Sequence, residues 1–254
     1  TEPDVGSNPA AMRTRARRDG DAWVLDGSKM WITNGSLADV AVVWARTARG
    51  EVNGFLVEPA APGFTAPQMH GKLSLRASVT SELVLDGVRV GEDSRLPLAD
   101  SLRGPLSCLN EARYGIVFGA VGAARACYQS ALDYAKTRDQ FGRPIAGFQL
   151  TQAKLVDMAV KVGQSTLLAH HLGRMKDRGE LRPEHVSFGK HHNVTAALDV
   201  ARSARTVLGA NGVTLEYPVL RHANNLESVL TYEGTHEMHT LILGQALTGL
   251  AAFS

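Results

Sequence analysis

Leu102-Arg103-Gly104-Pro105 is the stretch on which the reading of the fold turns. Beyond it, Val117, Ala120, Val121, Ala124, Tyr128 and Ala131 lie at helical spacing. Positions three, four and seven apart share one face of an α-helix, so this stripe predicts a long helix with one buried side. Further along, Leu155, Met158, Ala159 and Val162 repeat the pattern, continued by Leu168, Leu172 and Met175. A third stripe is Ala197, Val200, Ala201, Ala204 and Leu208; Pro183 suits its first turn, and Gly209 with Asn211-Gly212 suits its end. A fourth helix is expected from Thr235, whose hydroxyl can cap free amides, with Met238, Leu241, Ile242 and Ala246 turned inward. Long helices joined by short loops predict an up-and-down four-helix bundle over residues 101–254.

Upstream of Leu102 the helical period is absent. Ala22-Trp23-Val24-Leu25-Asp26-Gly27 and Met30-Trp31-Ile32-Thr33-Asn34-Gly35 are short runs of β-type residues closed by Asp-Gly and Asn-Gly turn signals. Residues 40–44 form a nearly continuous apolar run, the pattern of a strand covered on both faces. Gly54-Phe55-Leu56-Val57-Glu58 and Glu82-Leu83-Val84-Leu85-Asp86 repeat the theme. Short strands at about ten-residue spacing predict a small antiparallel β-barrel or sandwich. The expected class is therefore α+β and multidomain, with a β-domain over residues 1–100 preceding the bundle.

Composition narrows the function classes. The chain has 254 residues, with 27 Lys and Arg against 25 Asp and Glu for a net charge of +2, a poor match to a nucleic-acid surface. Hydrophobic residues at 44% and charged residues at 20% are too apolar for a disordered chain. No stretch approaches the ~18 uninterrupted apolar residues of a membrane helix, so no membrane insertion is expected. Cys108 and Cys127 form no C-x-x-C pair and no disulfide framework, which fits a reducing compartment. The opening at Thr1, without a leader, reads as a fragment, a processed chain or one whose beginning is not included.

The densest polar stretch is Thr231-Tyr232-Glu233-Gly234-Thr235-His236-Glu237-Met238-His239. Three readings of Glu233 compete. It can be a partner of the helix dipole. It can be a general base, its pKa raised by desolvation in an apolar cleft. It can also be a metal ligand, because Glu233-x-x-His236 has di-iron spacing. Against the metal, no Glu stands three residues before any of His170, His171, His191 or His192. Arg13-x-Arg15-x-Arg17-Arg18 reads as the wet face of an edge strand rather than a polyanion site. Trp31-Ile32-Thr33 combines a wide aromatic plane with a hydroxyl, and core packing is its bland alternative. Neither G-x-G-x-x-G nor G-x-x-x-x-G-K-[ST] occurs, so Rossmann and P-loop nucleotide sites are unsupported.

Taken in order, several segments resemble the acyl-CoA dehydrogenase family. They are Thr1-Glu2-Pro3-Asp4-Val5-Gly6-Ser7, Lys29-Met30-Trp31-Ile32-Thr33-Asn34, Gly71-Lys72-Leu73-Ser74-Leu75-Arg76-Ala77-Ser78 and Leu109-Asn110-Glu111-Ala112-Arg113-Tyr114-Gly115. Arg138-Asp139-Gln140-Phe141-Gly142-Arg143-Pro144, Leu208-Gly209-Ala210-Asn211-Gly212 and Tyr232-Glu233-Gly234-Thr235-His236 complete the set. Within the family the nearest likeness is to members acting on glutaryl-CoA, resting on Leu75-Arg76-Ala77-Ser78, Asn110-x-Ala112-Arg113-Tyr114-Gly115 and Tyr232-Glu233-Gly234-Thr235-His236. Family members have an N-terminal helical domain, a middle β-domain and a C-terminal four-helix bundle, and this chain matches the last two.

The resemblance implies a flavoprotein, with FAD lying between the two parts. It implies that Thr1 and Ser7 contact the flavin end and phosphates, that Trp31 and Ile32 lie against the ring system, and that Thr33 bonds near its reactive nitrogen. It implies that Arg138, Phe141 and Gln149, with Thr206, Leu208, Gly209 and Ala210, reach the adenine half from a neighbouring subunit of a homotetramer. Relatives often carry an amide where Thr206 stands and a glycine where Ala210 stands. Thr235 and Phe253 would also lie near FAD. Glu233 would be the catalytic base, Arg113 would position its loop or the thioester, and Ser7, Asn110, Tyr232 and Gly234 would face the acyl-CoA substrate. The expected reaction is α,β-dehydrogenation of an acyl-CoA, foremost glutaryl-CoA oxidised and decarboxylated to crotonyl-CoA, with an electron-transfer flavoprotein as acceptor. Other short, branched or carrier-bound acyl thioesters, and a non-catalytic scaffold, are the alternatives. The implied location is the cytoplasm of a bacterium or a mitochondrial matrix.

Overall fold

A computed structural model describes residues 1–252, so Phe253 lies outside the described residues. The chain divides into two compact units, Thr1–Cys108 and a second from Leu109 onward.

The first unit is a six-stranded sheet of β1 (Arg15–Asp19), β2 (Ala22–Thr33), β3 (Ala41–Thr47), β4 (Val52–Val57), β5 (Phe64–Thr65) and β6 (Thr80–Gly91). Its order is β4-β3-β1-β2-β6-β5. All pairings are antiparallel except a short parallel match of Arg15 and Ala16 with Arg46 and Thr47, so the sheet is mixed. The Arg13–Arg18 stretch is therefore not on an edge strand, since β1 lies between β3 and β2. Its arginines at 15, 17 and 18 are nonetheless exposed while Ala16 is buried.

β2 and β4 are three strand spacings apart in this order, or ~14 Å if the sheet were flat. The rings of Trp23 on β2 and Phe55 on β4 nevertheless approach to 5.4 Å between centroids, which requires the sheet to curl. Just past β6, Arg95 bridges Phe55, and the Leu96 amide donates to the Gly54 carbonyl at 2.9 Å, which all but closes the barrel. Inside it, Ala16, Leu25, Val43, Phe55, Val57, Leu83, Leu85 and Val88 form one apolar core. The two runs expected as separate strands join in β2, because Asp26-Gly27 makes a bulge rather than a turn. The register moves from Leu25 opposite Val88 to Gly27 opposite Leu85, and Asp26 Oδ1 accepts the Gly87 amide at 2.9 Å. β3 is one-sided within this unit: Val43 and Ala45 are buried and Val42 is exposed.

The second unit holds α1 (Arg103–Thr137, whose first residues belong to the sheet unit), α2 (Gln149–Asp177), α3 (Pro183–Val207), α4 (Val219–Thr231) and α5 (His236–Thr248). A two-stranded hairpin of β7 (Asp139–Gln140) and β8 (Arg143–Pro144) joins α1 to α2. Small residues let the helices pack closely: Ala120, Ala124, Cys127 and Ala131 of α1 meet Leu155 and Met158 of α2 and Ala197, Val200, Ala201 and Ala204 of α3. Val219, Ala223 and Leu226 of α4 complete this core. The expected set of four helices lacked α4, whose three buried residues are separated by Arg221, His222, Asn224 and Asn225. α5 starts where expected, but its buried residue is His239; Met238, Leu241 and Ile242 are half-buried and Ala246 is exposed.

Candidate active site

α4 ends at Tyr232, whose amide closes the last turn on the Ser228 carbonyl at 2.9 Å. α5 begins at Thr235, whose hydroxyl accepts the Met238 amide at 3.2 Å. Glu233 and Gly234 alone connect the two helices, and both are left-handed, with φ of 55° and 85°. Such a backbone costs a non-glycine residue on the order of 1–2 kcal/mol, so the surroundings must hold Glu233 in it.

Three side chains do so through main-chain carbonyls. Arg113 Nε, from α1, donates to the Glu233 carbonyl at 2.7 Å. His239 Nε2, from α5, donates to the same oxygen at 3.2 Å, and its Nδ1 accepts the Ser187 hydroxyl of α3 at 3.0 Å. A carbonyl oxygen can only accept, so Nε2 carries a proton, and a neutral ring then leaves Nδ1 as the acceptor. Burial, followed by the charges of Lys190 and Arg113, brings His239 down to about 4, so it is uncharged at neutral pH. Lys190 Nζ, also from α3, donates to the carbonyls of Tyr232 and Gly234, the latter at 2.5 Å, and lies 3.4 Å from that of Glu233.

The Glu233 carboxylate is held differently from its own main chain. Its Oε2 is buried and has no hydrogen-bond partner. Burial pushes its pKa above the ordinary carboxylate value, against the pull of Arg113 and Lys190. A desolvated carboxylate oxygen with free lone pairs can accept a proton, and the two cations oppose the upward shift that burial imposes. Asn110, one turn before Arg113 on α1, approaches Arg113 Nη1 at 3.5 Å.

Of the residues singled out in the sequence, Asn110, Arg113, Tyr232, Glu233, Gly234 and Thr235 are thus gathered at this one turn. A second group lies elsewhere on the helical unit. Phe141 caps the β7–β8 hairpin with φ of 52° and is 94% exposed. Arg138 precedes the hairpin and Gln149 opens α2, both exposed. Asn211 Nδ2 donates to Tyr134 Oη at 2.9 Å, tying the segment after α3 to the last turns of α1, from which Arg138 follows. In that segment Gly209 and Ala210 are exposed, the Thr206 hydroxyl donates to the Arg202 carbonyl at 3.0 Å, and the Leu208 side chain is buried in the helical core. Only the main chain of Leu208 is therefore free for a ligand.

A third group belongs to the sheet unit. Trp31 sits near the end of β2 with φ of 63° and 58% of its surface exposed, so its indole is presented rather than packed. The Met30 amide donates to the Thr1 carbonyl at 2.9 Å, which brings Thr1 beside Trp31. Ile32 packs partly on the barrel core, Thr33 pairs with Thr80, and Ser7 lies in an exposed bend. Among the described residues no three His, Cys, Asp or Glu side chains converge in a way that could hold a metal ion. Lys190, Ser187 and His239 also hold this turn and were not among the candidate site residues read from the sequence.

A helical unit whose α4–α5 turn presents a buried carboxylate oxygen follows a curled β unit, and comparison with known proteins gives the family. Residues 1–88 match the acyl-CoA dehydrogenase middle domain and residues 103–248 match the acyl-CoA dehydrogenase C-terminal domain. An acyl-CoA dehydrogenase of Bacillus subtilis (strain 168) is 37% identical over 98% of this chain and 67% of its own length. The crystal structure of a glutaryl-CoA dehydrogenase from Mycobacterium smegmatis superposes with a TM-score of 0.98 at 68% identity, covering all of this chain and 65% of that one. A second glutaryl-CoA dehydrogenase structure from Mycobacterium smegmatis, in complex with FADH2, matches at 62% identity with a TM-score of 0.98, over all of this chain and 66% of that one. The chain belongs to the acyl-CoA dehydrogenase family, and it spans about two thirds of the length of these relatives.

Proposed function

We propose that this chain forms the middle and C-terminal parts of an FAD-dependent acyl-CoA dehydrogenase acting on glutaryl-CoA. The observation that carries the reading is the Glu233 Oε2, buried and without a hydrogen-bond partner, on a left-handed turn. The substrate rests on the 68% identity to a glutaryl-CoA dehydrogenase. The Trp31 indole, exposed on a strained backbone, fits a planar ring system stacked against it, with the Thr33 hydroxyl two residues away as a hydrogen-bond partner. FAD, when bound, supplies the two-electron acceptor for the hydride that leaves the β-carbon.

Glu233 removes the α-proton of the thioester as the β-hydride departs, giving a 2-enoyl thioester. Exclusion of water from its Oε2 keeps the carboxylate basic enough for a weakly acidic C–H. Arg113 holds the carbonyl of the same residue, so the turn stays fixed while the side chain gains a proton. With a glutaryl substrate, the γ-carboxylate of the enoyl product leaves as CO₂, its bonding electrons pass into the dienolate of the thioester, and one proton taken up at the γ-carbon gives crotonyl-CoA. The same reading carries reoxidation by an electron-transfer flavoprotein and a homotetramer in which Phe141, Arg138 and Gln149 serve a neighbouring subunit, an assembly that light scattering tests.

Anaerobic addition of glutaryl-CoA to the flavin-loaded protein is expected to bleach the flavin absorbance and release one CO₂ per crotonyl-CoA. Glu233→Gln is expected to slow bleaching by about 10²–10⁴-fold. Equal bleaching by the variant removes Glu233 as the base. Bleaching by other acyl-CoA thioesters without CO₂ release moves the substrate elsewhere in the family. A purified protein that takes up no flavin and bleaches with no thioester is a scaffold.

A further inference from the structure

We propose that Lys190 is the positioning residue of this site: its ammonium gathers the carbonyls of Tyr232, Glu233 and Gly234 and so fixes the left-handed turn that carries the Glu233 carboxylate. The inference rests on the reading of Glu233 as the base, and its geometry stands apart from the choice of substrate.

Lys190 is 2% exposed, and a lysine so buried must have its charge matched. Its bonds go to main-chain oxygens rather than to a carboxylate. An ammonium has three N–H donors, and three successive carbonyls, 42 to 44 residues further along the chain, converge on it. Two consecutive left-handed residues turn those carbonyls to one side, so removing the cation takes this donor from the Tyr232 and Gly234 carbonyls just past α4, while Arg113 and His239 still hold that of Glu233. That end of a helix already carries partial negative charge, which a cation offsets. Ser187, one turn earlier on the same face of α3, holds His239, which in turn donates to the Glu233 carbonyl. α3 thus grips the turn at two points, and only Lys190 does so with a charge.

The ionisable groups around the ammonium are Arg113 from α1, Glu233 in the turn, His239 from α5, the Tyr232 ring with its centroid 5.9 Å away, and His191 with its stacked neighbour His236. Burial, then the Arg113 charge, brings Lys190 down to about 8, with Glu233 opposing. As pH rises through that value one N–H donor is lost and the grip on the turn loosens. Below it, the positive charge favours the ionised form of Glu233.

The test compares Lys190→Met, which keeps the apolar stem without a donor, with Lys190→Arg, which stays charged at all working pH. Hydrogen–deuterium exchange over residues 231–239 needs neither flavin nor substrate. Lys190→Met is expected to lose at least about tenfold of protection there, while Lys190→Arg keeps most of it. In the flavin-loaded protein the bleaching rate should fall above about pH 8, and Lys190→Arg should carry that limb upward by a pH unit or more. Lys190→Met should move the acidic limb upward, since Glu233 loses a nearby cation. A lysine acting only through its charge moves the acidic limb in Lys190→Met but leaves the exchange of residues 231–239 and the alkaline limb where they are.

If neither variant folds, exchange in the unmutated protein decides. Protection of residues 231–239, corrected for intrinsic exchange, should drop through pH 8 while that of α3 stays level. A flat profile, or unchanged exchange in Lys190→Met, overturns the inference. Failure of the parent to bleach with any acyl-CoA overturns the proposed function instead and leaves the exchange test standing.

Discussion

At Gly234 two demands meet. Its φ is +85°, and a Cβ added there would stand 2.9 Å from His239 Nε2 and 3.5 Å from Arg113 Nη2. Gly234→Ala is therefore expected to cost on the order of 1–2 kcal/mol of backbone strain. Pushing His239 off the Glu233 carbonyl adds to that cost. Scanning calorimetry should show a melting temperature lower by about 2–8 °C, with turnover reduced as well. A variant that melts and turns over like the parent shows that the turn is not under this constraint. The Thr235 cap and the placing of Glu233 and Gly234 just before a helix start were legible from neighbouring residues, whereas the choice of a base among the three readings of Glu233 came from the family resemblance. Lys190, Ser187 and His239 were not legible. Nothing next to Ser187 or Lys190 in the chain marks either as a site residue, and the carbonyls that draw Lys190 inward come from a loop more than forty residues later.

Among elements, β2 shows where strand pattern stops being informative. Asp26-Gly27 carries the same signal whether the chain turns or bulges, and only the partner strand decides. In β2, φ at Gly27 is +143°, and a Cβ would come within 2.7 Å of Thr14 Oγ1 and 2.8 Å of Thr14 Cα. Gly87, opposite the bulge, is also left-handed at +63°, yet a Cβ there meets nothing within 4 Å. The two positions separate crowding from backbone strain. Gly27→Ala is expected to destabilise the sheet unit by about 2–4 kcal/mol and Gly87→Ala by about 1 kcal/mol. Urea titration followed by tryptophan fluorescence reads this directly, and equal midpoints for the two variants contradict it. The helical stripes of α1, α2 and α3 were legible in the sequence for the opposite reason: each needs only its own apolar period. α4 escaped notice because its three buried positions span barely two turns among polar neighbours, with Pro218 at its start.

Across the whole molecule the two units carry buried acids displaced in opposite directions. In the sheet unit Glu2 accepts the Arg13 and Thr14 amides at 2.6 and 3.0 Å, the Thr14 hydroxyl at 2.6 Å and Lys29 Nζ at 2.8 Å. These bonds outweigh its burial and hold its pKa at about 2, against an ordinary 4.5. A depressed carboxylate contributes stability above its unfolded value and loses it as pH falls toward its folded one. Roughly 3 kcal/mol of the sheet unit's stability should therefore vanish between pH 4.5 and 2, leaving Lys29 buried without its counter-charge. Glu233, in the helical unit, is displaced upward, so protonating it relieves a cost of folding. Trp23, Trp31 and Trp44 are the chain's three tryptophans, and all lie in the sheet unit, whereas α2 to α5 lie wholly in the helical unit. Acid titration should consequently show tryptophan emission changing at higher pH than helical circular dichroism is lost. Glu2→Gln should bring the fluorescence change to neutral pH while leaving the helical curve nearly in place. Coincident curves in the parent, shifted together by the substitution, would mean that the two cores unfold as one and that the Glu2–Lys29 pair stabilises both.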